Sequence, residues 1–152
     1  MSVFRILDIA GTAMNAQSVR LNATASNLAN AESVSSSVDT TYKARRPLFA
    51  AAMDEAYKLQ QNTGEPCDPV SGEPYGVGVS LMGVIESDAP SIKEYNPNHP
   101  LADSDGYIYR PNVNPVEEMA DMISANRAYQ TAVQVADSAR NMLLQTLKLG
   151  QS

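Results

Sequence analysis

Apolar positions near the start of the chain recur at the spacing of a helix seam. Leu7, Met14, Leu21 and Leu28 stand seven apart, with Val3, Ala10, Gln17 and Thr24 falling between them. That alternation predicts a long helix with a narrow stripe turned toward a partner. A second stripe, Ile6, Ile9, Ala13 and Ala16, runs beside it. At 1.5 Å per residue the helix spans roughly 40 Å.

The other end of the chain mirrors this pattern. Asn114-Pro115-Val116-Glu117 supplies an N-cap asparagine, a proline at the first helical position and a glutamate at the third, a strong start signal. No Pro or Gly interrupts the run to Leu149, and Gly150 supplies a stop. One stripe reads Met119, Met122, Asn126, Tyr129, Val133, Ala136, Arg140, Leu143, Leu147, and a second Ala128, Ala132, Val135, Ala139, Met142, Leu149. A helix of roughly 50 Å exceeds the globular norm and points to a coiled coil or an assembly element.

The periodicity is lost between these helices. Residues Ser33 to Thr41 read as a polar linker, and Tyr42 to Met53 as a strand interrupted by Pro47. Residues 54–75 are polar and turn-rich. The stretch GVGVSLMGVIES reads as a strand, and Ile92 to Tyr95 as another. Asn96 to Asn114 is extended and proline-rich. The expected fold is mainly α with a small β insert, its long terminal helices pairing as a coiled coil around a central β-rich or irregular outer segment. Its divisions are an N-terminal helix (1–32), a linker and outer segment (33–113) and a C-terminal helix (114–152).

Composition narrows the function. A net charge of −6 and a pI near 4.6 argue against a nucleic-acid binder, and Lys43, Arg45 and Arg46 form too short a basic cluster to alter that. Arg5 and Asp8 break the first apolar run, so no secretory signal is expected there, and no stretch is apolar enough for direct membrane insertion. From this alone the chain reads as a soluble cytosolic protein.

The candidate chemistry is weak. Gly76, Gly78 and Gly83 lack the spacing and following helix of a dinucleotide loop, and read as strand glycines at a bend or bulge. Asp103-Ser-Asp105-Gly106 resembles part of a calcium loop, but Leu101 and Asn112 occupy its end-ligand positions, so a turn is expected. His99 is the only histidine and Cys67 the only cysteine, both expected in loops, and Glu117 and Glu118 read as first-turn charges complementing the helix dipole. No catalytic, cofactor or metal site is expected. The helices themselves carry the stronger signal. Between Met119 and Leu147 only Asp121, Arg127, Asp137 and Arg140 are charged, so the outer faces are too apolar for bulk water. Pairing within the chain plus burial between chains accounts for this.

Two motifs then carry a family resemblance. ASNLANAES (Ala25–Ser33) followed by YKARRPLF (Tyr42–Phe49) resembles the amino-terminal signature of the bacterial flagellar axial proteins. YNPNHPLADSDGYIYRPNVNPVEEMADMISANRAYQTAVQ (Tyr95–Gln134) and LLQTLKLGQ (Leu143–Gln151) are similar to the proximal-rod branch of that family. The longer spacer at Val34-Ser35-Ser36-Ser37 favours that branch over other rod paralogues.

The resemblance implies a structural subunit of the rod, the shaft crossing the periplasm, exported unfolded through the flagellar type III apparatus without a cleavable signal. It implies other copies of the chain, the other proximal-rod proteins, the distal-rod protein and the junction protein at the membrane ring as partners. On this reading Leu7, Met14, Leu21 and Leu28 pack on Met122, Tyr129, Val133, Leu143 and Leu147 of the same chain. Asn22, Asn27, Asn30, Asn126 and Arg140 would hydrogen-bond between subunits and set register. The alternatives are another rod paralogue, or a soluble binding module with a helical hairpin attached.

Overall fold

The computed structural model describes residues 3–52 and 78–149. Expectations for the stretch 54–75, for Cys67 and Gly76 and for the Gly150 stop lie outside the described residues. The elements in chain order are α1 (Val3–Asn30), β1 (Arg45–Ala51), β2 (Val79–Glu86), β3 (Ile92–Tyr95), β4 (Tyr107–Arg110) and α2 (Pro115–Leu149). The fold is mainly helical with a β insert. No helix among the described residues is long and apolar enough to cross a membrane.

Local chemistry sets the helix ends. Asn114 Oδ1 accepts the Val116 N–H at 3.1 Å, and the Glu118 N–H closes the first turn on Asn114 O at 3.1 Å. Pro115 sits where a helix has no use for its own N–H, so the cap costs nothing there. α1 ends without a glycine. The Ser33 N–H and hydroxyl both donate to Asn30 O, at 3.0 and 2.8 Å, and satisfy a carbonyl left free by the last turn.

β1 and β2 form one two-stranded sheet, β3 and β4 another. Bonds from Ser87 N to Ala44 O (2.8 Å) and from Ala52 N to Gly78 O (2.9 Å) close the first pair at both ends and make it antiparallel. Counted from Ala44–Ser87, Pro47 falls where its nitrogen points away from β2, so the ladder loses no bond to it. β3 pairs with β4 from Ile92↔Arg110 to Tyr95↔Tyr107, and Ser35 bridges the far side of β4 at Tyr109. The sequence predicts only an extended run over 96–114. The four residues of β4 became a strand because β3 and Ser35 hold both its edges.

The loop joining β3 to β4 turns at Gly106, whose φ of 78° is the left-handed region. A Cβ there would meet the Tyr95 ring at 3.0 Å and Pro97 Cβ at 3.2 Å, so this site requires glycine. The Gly106 N–H donates to Asp103 O at 2.9 Å, making the Asp-Ser-Asp-Gly stretch the expected turn. His99 lies in the same loop, its Nδ1 accepting the Leu101 N–H at 3.1 Å. Tyr95 and Tyr107 meet edge-to-face at 5.2 Å, and Lys93 Nζ sits 4.0 Å from the Tyr107 ring centre.

The described residues gather into two compact units. One holds 3–18, 49–52, 78–82 and 127–149, and the other holds Val19–Leu48 and Gly83–Asn126. In the first, Thr12 Oγ1 accepts the Val79 N–H at 3.2 Å and donates to Ile9 O at 2.9 Å, tying the start of β2 to α1. A Cβ on Gly78 would come 2.7 Å from that hydroxyl, so the close approach depends on glycine. The buried apolar residues of this unit are alanines: Ala10, Ala16, Ala132 and Ala139. In the second unit Arg20 pairs with Asp121 and Asn27 with Glu118, so α1 and α2 run antiparallel there. Ala23, Ala31, Ala44, Ala125 and Ile108 are buried around them.

Candidate functional site

Asn27 is 1% exposed and is the largest fully enclosed side chain among the described residues. Its Oδ1 accepts the Arg45 N–H at 2.8 Å and the Tyr42 hydroxyl at 2.9 Å, while its Nδ2 donates to Arg45 O at 2.9 Å and Glu118 Oε2 at 3.1 Å. A primary amide has two donors and two acceptor lone pairs, and all are used. The bond to both backbone groups of Arg45 is peptide-like. In the β1–β2 register those groups point away from β2, so Asn27 closes the open edge of β1 at its first residue.

Three distant stretches therefore meet at one amide. ASNLANAES supplies Asn27, YKARR supplies Tyr42 and Arg45, and NPVEEM supplies Glu118. Around them Ser26 Oγ lies 3.2 Å from the Tyr42 hydroxyl, and the Arg45 guanidinium lies 5.8 Å from the Tyr42 ring centre. The preceding polar stretch is folded as well: Ser35 Oγ and Thr41 Oγ1 are 2.6 Å apart, and both hydroxyls lie within bonding distance of Ser37 O.

This corrects two expectations. Asn27 was expected to bond between subunits, but its own chain saturates it, because β1 and α2 bring polar groups to it from both sides. Glu118 was read as a first-turn dipole charge, yet it is 5% exposed and holds Asn27; only Glu117 remains an exposed first-turn charge. Of the other register candidates, Asn30 turns its Nδ2 onto Ser26 O at 2.8 Å, within its own helix. Asn22, Asn126 and Arg140 are exposed.

The seam residues sort by size rather than by hydrophobicity. In α2, Ala125 and Ala139 are fully buried and Ala132 nearly so, a seven-residue repeat interleaved with half-buried Met122, Ala136 and Leu143. In α1 the enclosed positions are Ala10, Ala16, Ala23, Thr24 and Asn27, with Ala31 just past its end, while Leu7, Met14, Leu21 and Leu28 are half-buried. Val133 is half-buried too, but Tyr129 is exposed and Leu147 is 62% exposed, so neither lies in a buried seam. The physical reason is steric. A methyl side chain lets another backbone approach closely, and longer side chains are displaced to the flanks.

Much apolar surface is left uncovered. On the first turns of α2, Val116, Met119 and Ile123 are all more than half exposed and lie opposite the buried Glu118 and Ala125. Leu48, Val84 and Ile85 on the β1–β2 hairpin, and Met142, Leu144 and Leu147 near the end of α2, are also exposed. Monomeric proteins seldom leave so many large apolar side chains in water. The chemistry on offer is contact. Among the described residues no group of His, Cys, Asp or Glu could hold a metal ion.

Residues 7–34 match the family described as flagella basal body rod protein, and 104–149 the one described as flagellar basal body rod FlgEFG protein C-terminal. The flagellar basal-body rod protein FlgC of Salmonella typhimurium is 42% identical over 151 residues, covering 99% of this chain and 100% of the relative. The chain belongs to the FlgC family of flagellar basal-body rod proteins. The FlgC proteins of Escherichia coli O157:H7, at 42% identity, and Yersinia enterocolitica, at 40%, match over the same 151 residues. Members of this family are structural rod subunits, and this chain is one of them. The first matched segment contains Asn27 and the second Glu118, so the node joins the two family regions.

Proposed function

We propose that the chain builds the proximal rod by packing with further copies of itself and with the other rod proteins into a helical tube. The tube transmits torque from the membrane ring to the distal rod and hook. Its neighbours are the other proximal-rod proteins, the distal-rod protein and the junction protein at the ring. The subunit reaches the periplasm through the flagellar type III export apparatus, without a cleavable signal. α1 and α2 pair as an antiparallel coiled coil along the small-residue seam, and the large apolar residues outside that seam meet neighbouring subunits. Asn22, Asn126 and Arg140 supply polar contacts that select register.

The observation carrying this reading is the uncovered apolar surface of α2, opposite its buried alanines, in a chain of the rod family. Asn27 supports it indirectly. Torque must pass from an inner helix to the outer β segment, and Asn27 bonds both to the same point.

Deleting the gene should leave the membrane ring but no rod, and the native sequence should restore rods and swimming. Rods in the deletion strain would refute the proposal. A chain carrying Asn27→Leu should still be secreted but should fail to support rod assembly.

A further inference from the structure

The two exposed apolar patches of the Asn27 unit differ in charge. Residues 114–126 contain Glu117, Glu118 and Asp121 and no base; residues 42–51 contain Lys43, Arg45 and Arg46 and no acid. Half of these charges are committed within the chain, and Lys43 is exposed without an ion pair to a described residue. Glu118 holds Asn27, Asp121 pairs with Arg20 at 2.9 Å, and Arg45 lies 3.4 Å from Glu86. Glu117 and Arg46 are exposed, with no ion pair to any described residue.

Each of those two charges adjoins an apolar patch. Glu117 borders the stripe of Val116, Met119 and Ile123, whose exposures are 74, 53 and 54%. That stripe points away from Glu118 and Ala125, so the unit's own α1 does not cover it. On the hairpin, Arg46 and Leu48 share one face of β1 by strand alternation. Counting from Ala44–Ser87 places Ile85 directly across from Arg46, and Leu48 and Ile85 are 50 and 55% exposed.

We infer that these patches are the two halves of one contact between copies of the chain. The Val116–Met119–Ile123 stripe of one copy seats on Leu48 and Ile85 of the next, and Glu117 meets Arg46. The occupant is a second copy because both halves, opposite in charge and alike in apolar character, are carried by the same chain. Because the halves are unlike, the contact is head-to-tail, the kind that winds copies into an open helix when its rotation does not close a ring. This inference rests on the rod reading and names the faces that meet.

The test uses assembled basal bodies from cells lacking the native copy, in a Cys67→Ser background. Two tagged chains, one Ile123→Cys and one Leu48→Cys, are expressed together and treated with a short bismaleimide. A mixed dimer joining positions 123 and 48 is expected, with no dimer from either chain alone. Arg46→Glu and Glu117→Arg should each reduce swimming several-fold, and the combined substitution should restore it by exchanging the two charges. Rods that form without the mixed dimer, Ile123→Cys chains that link to one another, or a combined variant no better than the single ones would overturn the inference. Recovery of the native-sequence chain in purified basal bodies is scored separately. Its absence there would overturn the rod reading, whereas its presence with the wrong cross-links overturns only the interface.

Discussion

The unit around Asn27 and the unit around Thr12 are built from the same two helices, yet different forces hold them. The buried polar residues among those described, Thr24, Asn27, Thr41 and Glu118, all belong to the Asn27 unit. Directional bonds there admit a single alignment of α1, β1 and α2, because shifting any one of them strands a buried donor or acceptor. The Thr12 unit buries alanines instead, and its polar link is the hydroxyl on Val79. Methyl contacts favour close approach but discriminate poorly between neighbouring registers. One unit therefore fixes the alignment of its own elements by directional bonds, and the other relies on close methyl packing.

The sharpest way to break this contrast is Asn27→Leu. It removes four hydrogen bonds and leaves the buried Glu118 carboxylate and the part-buried backbone of Arg45 without their amide partner. A loss of about 3–5 kcal/mol in urea unfolding is expected. Hydrogen exchange should accelerate across 19–48 and 83–126 far more than across 127–149. Equal acceleration in both would show that the units are not separate in energy.

Ala139→Leu attacks the other unit. Three extra heavy atoms cannot be accommodated by rotamer choice alone at a fully buried site, so about 1–3 kcal/mol should be lost. Here protection should fall in 127–149 first. A variant as stable as the parent would mean that the alanine seam is loosely packed.

Gln17 offers a smaller effect of the opposite sign. Its Oε1 is buried without a hydrogen-bond partner. Gln17→Met keeps the side-chain length and removes the unsatisfied acceptor, so stability should rise by about 1 kcal/mol. A decrease would mean that the amide is satisfied after all. The smallest change is expected from Arg20→Met. Arg20 and Asp121 are about one-third to two-fifths exposed, so the pair contributes less than about 1 kcal/mol and that share should vanish near 1 M salt.

The legible parts of the molecule are those set by neighbours in sequence. The helix start at Pro115, the strand at Ile92–Tyr95 and the turn at Gly106 follow from a capping asparagine, the strand propensity of Ile and Tyr, and Asp-Gly chemistry. The resemblance carried by ASNLANAES and NPVEEM led to the right family. The role of Asn27 was not legible, since an asparagine inside a helix reads equally well as solvated, buried or intersubunit. One signal was available. The family motifs place an amide, a strand start and a helix start in separate segments, and an amide can close a strand edge.

By itself the sequence determined two long helices, a β insert between them and surfaces too apolar to stay in water. These depend on propensity, capping and periodicity, which act over a few residues. Only the tertiary structure decided that alanines rather than leucines occupy the enclosed seam, that Asn27 is satisfied at home, and that Glu118 is a partner rather than a dipole charge. Those outcomes depend on how closely segments far apart in the chain approach each other, 91 positions for Asn27 and Glu118, a distance that no local pattern encodes.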